Sequence, residues 1–95
     1  MALFQLGQVI FTAGINALLQ KNSVGIMQTN LTILLQRHQN GDSGNVCKED
    51  KEANDYAIAQ GERIFSTYTF YDTVTIWIIT EHDRSYTTVL LPEEY

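Results

Sequence analysis

Hydrophobic residues repeat every three to four positions in the first two-thirds of the chain and every second position after Gly61. Thr12 precedes the first helical repeat, and its hydroxyl suits the position that caps a helix. The apolar members of that repeat are Ile15, Leu18 and Leu19. We predict a helix that ends at Asn22-Ser23 and Gly25. The apolar run before it, Phe4–Phe11, is interrupted by Gly7 and fits either a short strand or the lead-in to the helix.

Two further helices are predicted before Gly61. The second begins at the capping residues Thr29 or Asn30 and ends at Asn40-Gly41. Its stripe consists of Leu31, Leu34, Leu35 and His38. The third helix spans Lys48 to Gln60, with acidic residues in its first turn that suit the positive end of a helix. The residues expected on its buried side are Ala53, Tyr56, Ala57 and Ile58.

Alternating β-branched and aromatic residues after Gly61 predict three strands. They are residues 63–70, 74–80 and 86–91, separated by turns at Tyr71-Asp72-Thr73 and at Glu81–Ser85. The middle strand is the most apolar, so we place it at the centre of the sheet. Consecutive strands with short turns form an antiparallel meander. The predicted fold is α+β, with two or three N-terminal helices packed on a three-stranded antiparallel meander.

The length and charge of the chain exclude some classes of function. Its 95 residues form one domain, residues 1–95, with room for one modest core. Eleven acidic residues against six basic ones give a net charge of −5. This excess argues against binding to nucleic acid or to an anionic membrane, because both need a basic face. It suits docking on a basic protein partner, although it also serves solubility.

The single cysteine and the N-terminal residues bear on the compartment. Cys47 is alone, so no internal disulfide or Cys-x-x-Cys pair forms. The first eight residues lack the basic start of a secretory signal, and no apolar run approaches the ~18 residues of a membrane span. We therefore expect a protein of the reducing cytoplasm.

Two groups of polar residues are candidate sites. His38, after Arg37, is either an acid/base or metal-ligating residue or, as we favour, a charged residue at a helix C-terminus. The acids of the third helix are Glu49, Asp50, Glu52 and Asp55. They lack the spacing of a calcium loop and stand beside Lys48 and Lys51, which favours a solvated face. We expect no metal and no cofactor.

The back half supplies further interaction candidates. In the turn Glu81–Ser85, we expect Arg84 to contact Glu81 or an acid of the helix layer. If helices cover one face of the sheet, either Trp77 with Ile79 or Ile76 with Ile78 lies outside as a contact patch. Amphipathic aromatic residues that suit interfaces are Tyr68, Tyr71, Tyr86 and Tyr95. The candidate interaction residues are Glu49, Asp50, Glu52, Asp55, Trp77 and Arg84.

Most of the chain resembles a family of short bacterial proteins that are labelled plasmid-related and carry no assigned activity. The resemblance rests on short motifs spread along the chain and on a longer one near its end. These are 4–9, Leu34-Leu35, Arg37-His38, Gly41-Asp42, Glu49-Asp50, Asn54, Arg63-Ile64, 76–81, 83–85 and 87–92. Ser43 stands where that family carries Trp and His82 where it carries Ala. The resemblance implies a mobile-element context, and it makes His82 a poor candidate for a shared catalytic role.

A shorter resemblance covers only the last strands. Arg63-Ile64, Thr80-Glu81-His82 and Tyr86-Thr87 are similar to the end of barnase-type ribonucleases. This resemblance implies that Arg63 stabilises a phosphate and that His82 is the general acid. The acidic balance and the lack of a strand glutamate that could act as general base argue against it.

The primary hypothesis is a non-enzymatic interaction module, encoded on a plasmid or prophage, that binds a basic protein through acidic residues and exposed aromatics. In one version of this hypothesis the chain inhibits a host nucleic-acid-handling or defence system, because its carboxylates occupy a basic groove that normally binds phosphates. The alternative is a small ribonuclease that uses Arg63 and His82. A third hypothesis is a homodimer formed through the edge or a face of the sheet.

Overall fold

A computed structural model describes residues 2–21, 24–70 and 74–95. Within them the chain forms three helices, α1 (Ala13–Lys21), α2 (Val24–Gln39) and α3 (Lys48–Gln60). The strands are β1 (Gln8–Phe11), β2 (Ile64–Phe70), β3 (Val74–Thr80) and β4 (Tyr86–Leu90), followed by a 3-10 turn at Pro92–Glu94. The α+β prediction is confirmed. The predicted breaks at Asn22-Ser23 and Tyr71-Asp72-Thr73 lie outside the described residues.

The sheet differs from the predicted meander. Strands β2, β3 and β4 are antiparallel neighbours, but β1 adds a fourth strand, parallel to β4, in the order β1-β4-β3-β2. The sheet is therefore mixed. The predicted antiparallel pairing of the three C-terminal strands is confirmed, but the prediction that they form the whole sheet is wrong. Both β3 and β4 lie inside the sheet. The register pairs Val9 with Thr87, at opposite ends of the chain, and a non-local pairing of this kind leaves no periodic signal.

The first two helices have earlier or better-capped starts than the sequence indicated. Helix α2 begins at Val24, not at Thr29 or Asn30, and Gly25 lies in its first turn. Thr12 precedes α1 as predicted, and its Oγ1 lies 3.5 Å from the amide nitrogen of Ile15. Glu94 completes this cap, because its carboxylate accepts from Thr12 Oγ1 at 2.5 Å and from the amide of Gly14 at 2.9 Å. These hydrogen bonds lower the pKa of Glu94.

Helices α1 and α2 cover one face of the sheet, and the main core lies between them. Its buried members are Ile15, Leu19, Leu31, Leu34, Tyr68, Ile76, Ile78 and Val89. A smaller cluster of Phe4, Ala57 and Ile64 joins the N-terminal segment to α3 and β2. Because side chains alternate along β3, Ile76 and Ile78 enter the core while Trp77 and Ile79 face the other side.

The loop before α3 closes the outer edge of β2. Thr67 donates its N–H to the carbonyl of Ser43 at 3.1 Å and accepts from the amide of Asn45 at 2.7 Å. Gly44 lies between them at φ +73°, and a Cβ there would meet Thr67 O at 2.1 Å. Only glycine fits this approach. Among the residues that the structure describes, no helix has the length and apolar character needed to cross a membrane.

Candidate interaction surface

The outer face of α3 combines carboxylates with a large exposed aromatic ring. Glu49, Glu52, Ala53 and Tyr56 are spaced at three and four residues, and all four are exposed. Residues at this spacing share one side of a helix. Tyr56 is 64% exposed although it was predicted to be buried. That prediction is wrong for Tyr56 and Ala53, correct for Ala57, and Ile58 is half-buried.

An asparagine on the inner side explains the rotation of α3. Asn54 is 5% exposed and faces the edge of β2. Its Oδ1 accepts from the amide of Phe65 at 3.0 Å, and its Nδ2 donates to the carbonyl of the same residue. Nδ2 also donates to Ser43 Oγ at 2.8 Å. A polar side chain that copies the hydrogen bonds of a neighbouring strand thus sets which side of α3 faces inward.

The C-terminal end of α3 is held by a glycine and an arginine. Gly61 adopts φ 74°, and its amide donates to the carbonyl of Ala57 at 2.9 Å, as expected for a left-handed residue after a helix. Arg84 Nη2 donates to the same carbonyl at 3.0 Å, and its Nη1 donates to the carbonyl oxygens of Glu62 and, at 3.1 Å, Glu81. Arg84 therefore fixes the end of α3 through backbone carbonyl oxygens. Its hydrogen bond to Glu81 is to the backbone carbonyl of that residue.

The positive charges of the described residues are largely engaged within the chain. Arg37 Nε lies 2.7 Å from Asp42 Oδ2, which raises the pKa of Arg37 and lowers that of Asp42. Lys51 Nζ lies 2.6 Å from Asp55 Oδ1. Arg63 Nε lies 3.6 Å from Glu81 Oε2. Exposed acids that form no ion pair within the described part of the chain are Glu49, Asp50, Glu52, Glu62, Asp83, Glu93 and Glu94.

His38 belongs to a buried chain of hydrogen bonds that crosses the sheet. Thr87 Oγ1 donates to the carbonyl of Leu6 at 2.7 Å. The bond of 2.7 Å between Thr87 and Thr80 must therefore use the Thr80 proton, so Thr80 accepts from His38 Nε2 at 2.8 Å. His38 Nδ1 then accepts from Ser66 Oγ at 2.6 Å. This sequence of donors assigns the neutral ring with its proton on Nε2.

The environment of His38 keeps its ring uncharged. The residue is 1% exposed, and the edge of its ring meets the ring of Phe4 at 5.2 Å between centroids. Burial, and after it the positive charge of Arg84, lowers the pKa of His38 to about 4. A neutral, buried ring cannot act as the charged residue at the end of α2 that we predicted. The hydroxyls that bind it lie on β2 and β3, where the sequence offered no pairing signal.

Aromatic side chains line the sheet face that α1 and α2 leave open. Trp77 is half-buried there, with ring centroids 5.0 Å from Phe65 and 5.5 Å from Tyr95. Tyr95 Oη accepts from Arg63 Nη1 at 2.9 Å. A groove of about 240 Å³ lies between Arg63, Phe65, Trp77, Ile79 and Tyr95. The C-terminal residues thus cover part of this face, and Ile79 is only 4% exposed.

The remaining predicted residues lie apart from one another. Arg63 contacts Glu81 and Tyr95 on the open face, whereas His82 is exposed in the turn between β3 and β4. Cys47 is exposed directly before α3. Within residues 2–21, 24–70 and 74–95, no three His, Cys, Asp or Glu side chains converge as a metal site.

Comparison with protein-family models, with curated proteins and with solved structures finds no match to this chain. The site residues that sequence analysis missed are Asn54 as a structural clamp and Tyr56 as an exposed ring. The available signal was the polar Asn54 at the position where the helical repeat of α3 places its inner side. An asparagine among small apolar residues there indicates a specific hydrogen-bonding partner.

Proposed function

We propose that this chain is a non-catalytic interaction module that docks the outer face of α3 on a basic protein surface. The observation that carries the proposal is Tyr56, which is 64% exposed and shares its helix face with Glu49 and Glu52, whose carboxylates form no ion pair with the described residues. Tyrosine is enriched at interface centres because its ring buries a large area at low entropic cost. A lysine or arginine of the partner can contact the ring and a carboxylate together.

The charge distribution supports a basic partner. Arg37, Lys51 and Arg63 already contact carboxylates, and Arg84 contacts backbone carbonyls. On α3, Lys48 forms no ion pair with the described residues, and it stands beside Glu49 and Asp50 in the sequence. A surface of this sign attracts a positively charged protein and repels polyanions.

One version of this function is inhibition of a host nucleic-acid-handling or defence protein in the reducing cytoplasm. Carboxylates one turn apart on a helix are separated by roughly 5–6 Å at Cβ. A rigid row of such charges can occupy a phosphate-binding groove and so prevent a nucleic acid from binding there. The resemblance to plasmid-related proteins supports this context.

The experiment is capture of bacterial lysate proteins on the immobilised chain across a salt series. The test variant carries Glu49→Gln, Glu52→Gln and Tyr56→Ala, and the control carries Glu62→Gln and Glu93→Gln, which remove two exposed charges elsewhere. We expect basic proteins to be held by the parent and the control, lost from the α3 variant, and released between about 0.05 and 0.5 M salt.

Two outcomes contradict the proposal. If the variant with the three α3 substitutions still captures the same proteins, or if salt does not change the capture, α3 is not an electrostatic docking face. Cleavage of RNA by the purified chain that His82→Ala and Arg63→Ala abolish would replace it with the ribonuclease alternative. That alternative requires Arg63 to exchange its contacts with Glu81 and Tyr95 for a phosphate.

A further inference from the structure

The outer edge of β1 carries backbone groups that form no hydrogen bond with any other described residue. The amide of Gln8 donates to Ser85 O at 3.1 Å and that of Thr12 to Val89 O at 3.2 Å, so alternate residues of this strand face β4. Val9 and Phe11 consequently turn their N–H and C=O groups away from the sheet. Among the described residues, no hydrogen bond reaches these groups.

We propose that a second copy of this chain pairs with this edge, antiparallel, with the two-fold axis at Ile10. In this register Val9 lies opposite Phe11 of the second copy. Both residues present outward groups, so each such pair exchanges two hydrogen bonds. The axis generates the pair twice, and the interface gains four backbone hydrogen bonds and an eight-stranded sheet. An interface with two-fold symmetry requires a surface that is complementary to itself. Strand β1 meets this requirement because Val9 of each copy pairs with Phe11 of the other.

The side chains of β1 fit a second copy. The strand Gln-Val-Ile-Phe holds no charge and no proline, which are the devices that usually protect a free strand edge. Val9 is 38% and Ile10 39% exposed, on opposite faces of the strand. The two Ile10 side chains meet at the axis as a non-hydrogen-bonded pair, where side chains approach most closely.

The charges also favour this occupant. Helix α3 packs at β2, the opposite edge of the four-stranded sheet, roughly 14 Å from β1 at the usual strand spacing. Pairing through β1 therefore keeps the two acidic α3 faces at the far ends of the dimer, beyond the screening length of about 8 Å at physiological salt. Near β1, the carboxylate of Glu94 is held by Thr12 and Gly14 at the start of α1.

The test is sedimentation equilibrium of the full chain, with Ile10→Lys and Ile10→Glu measured alone and mixed. We expect the parent to dimerise, and each variant alone to raise the dissociation constant by tenfold or more, because like charges meet at the axis. The mixture restores the dimer, because opposite charges meet. Ile33→Lys, at a residue that is 48% exposed on α2, leaves dimerisation unchanged. Circular dichroism confirms that each variant is folded.

Three results overturn the proposal. They are a parent that stays monomeric up to about 1 mM, a dimer that the separate Ile10 variants preserve, and a mixture that fails to re-form it. Amide exchange adds an independent readout, since dilution of the dimer should speed exchange at Val9 and Phe11. Failure of this proposal leaves capture through α3 intact, because Ile10 lies at the opposite edge from that helix.

Discussion

The two edges of the sheet are finished in different ways. At β2, backbone groups of Ser43 and Asn45 form hydrogen bonds with Thr67. The side-chain amide of Asn54 forms hydrogen bonds with both the N–H and the C=O of Phe65. At β1, the outward groups have no such partner among the described residues. Free strand edges attract other chains. Closing the β2 edge also serves to orient α3, so one set of hydrogen bonds blocks an edge and positions the acidic face.

A buried line of hydrogen bonds connects these two edges. It runs from Ser66 on β2 through His38 and Thr80 to Thr87 on β4, and ends on the carbonyl of Leu6 before β1. All four side chains are at most 1% exposed. Since each polar atom is satisfied, the line joins the edges at little cost in desolvation, provided that His38 stays neutral.

The largest expected effect comes from proline at the closed edge. Thr67→Pro removes the N–H that bonds Ser43 and strains the loop, so we expect the free energy of unfolding to fall by roughly 3–4 kcal/mol. Val9→Pro removes an N–H that no described residue accepts, and we expect a loss of about 1 kcal/mol or less. Urea unfolding at a concentration where the chain is monomeric measures both. Equal losses would mean that the edges do not differ.

Acidification should break the line between the edges. The pKa of His38 is about 4 in the folded chain and near 6.5 when unfolded, so the unfolded state binds the proton first. The contribution of neutral His38 is fully present above pH 6.5, falls as the pH decreases towards 4, and amounts to about 3 kcal/mol once lost. Unfolding free energies from pH 7 to 4 test this. His82→Ala, in the exposed turn, should keep the slope, whereas His38→Gln should flatten it.

Removing the clamp on α3 should have a smaller effect on stability. Asn54→Ala deletes three hydrogen bonds at a buried position, and we expect a loss of roughly 2–3 kcal/mol together with faster amide exchange at Phe65. Asn16→Ala, at an exposed position of α1, is the control and should change stability by less than about 0.5 kcal/mol. A Phe65 amide that stays protected in the Asn54 variant would show that the loop alone closes the edge.

Local patterns in the sequence were sufficient where a single element decides its own structure. The alternation of residues 74–80 placed β3, and the acidic first turn with Gly61 placed both ends of α3. The same reasoning failed for the face of α3, since apolar character assigned Tyr56 to the inside. Hydrogen bonds between Asn54 and the following strand outweighed that preference, and periodicity carries no information about such a partner.

The sequence by itself determined the α+β class, the net negative charge and the extents of most helices and strands, because these follow from local periodicity, capping and composition. Only the tertiary structure decided that β1 joins β4, that His38 is neutral and buried, and that Tyr56 faces solvent. Each of these depends on groups of different elements that meet through directional hydrogen bonds. Hydrophobic patterning indicates which residues are suited to burial, whereas hydrogen-bonding partners decide which of them are buried.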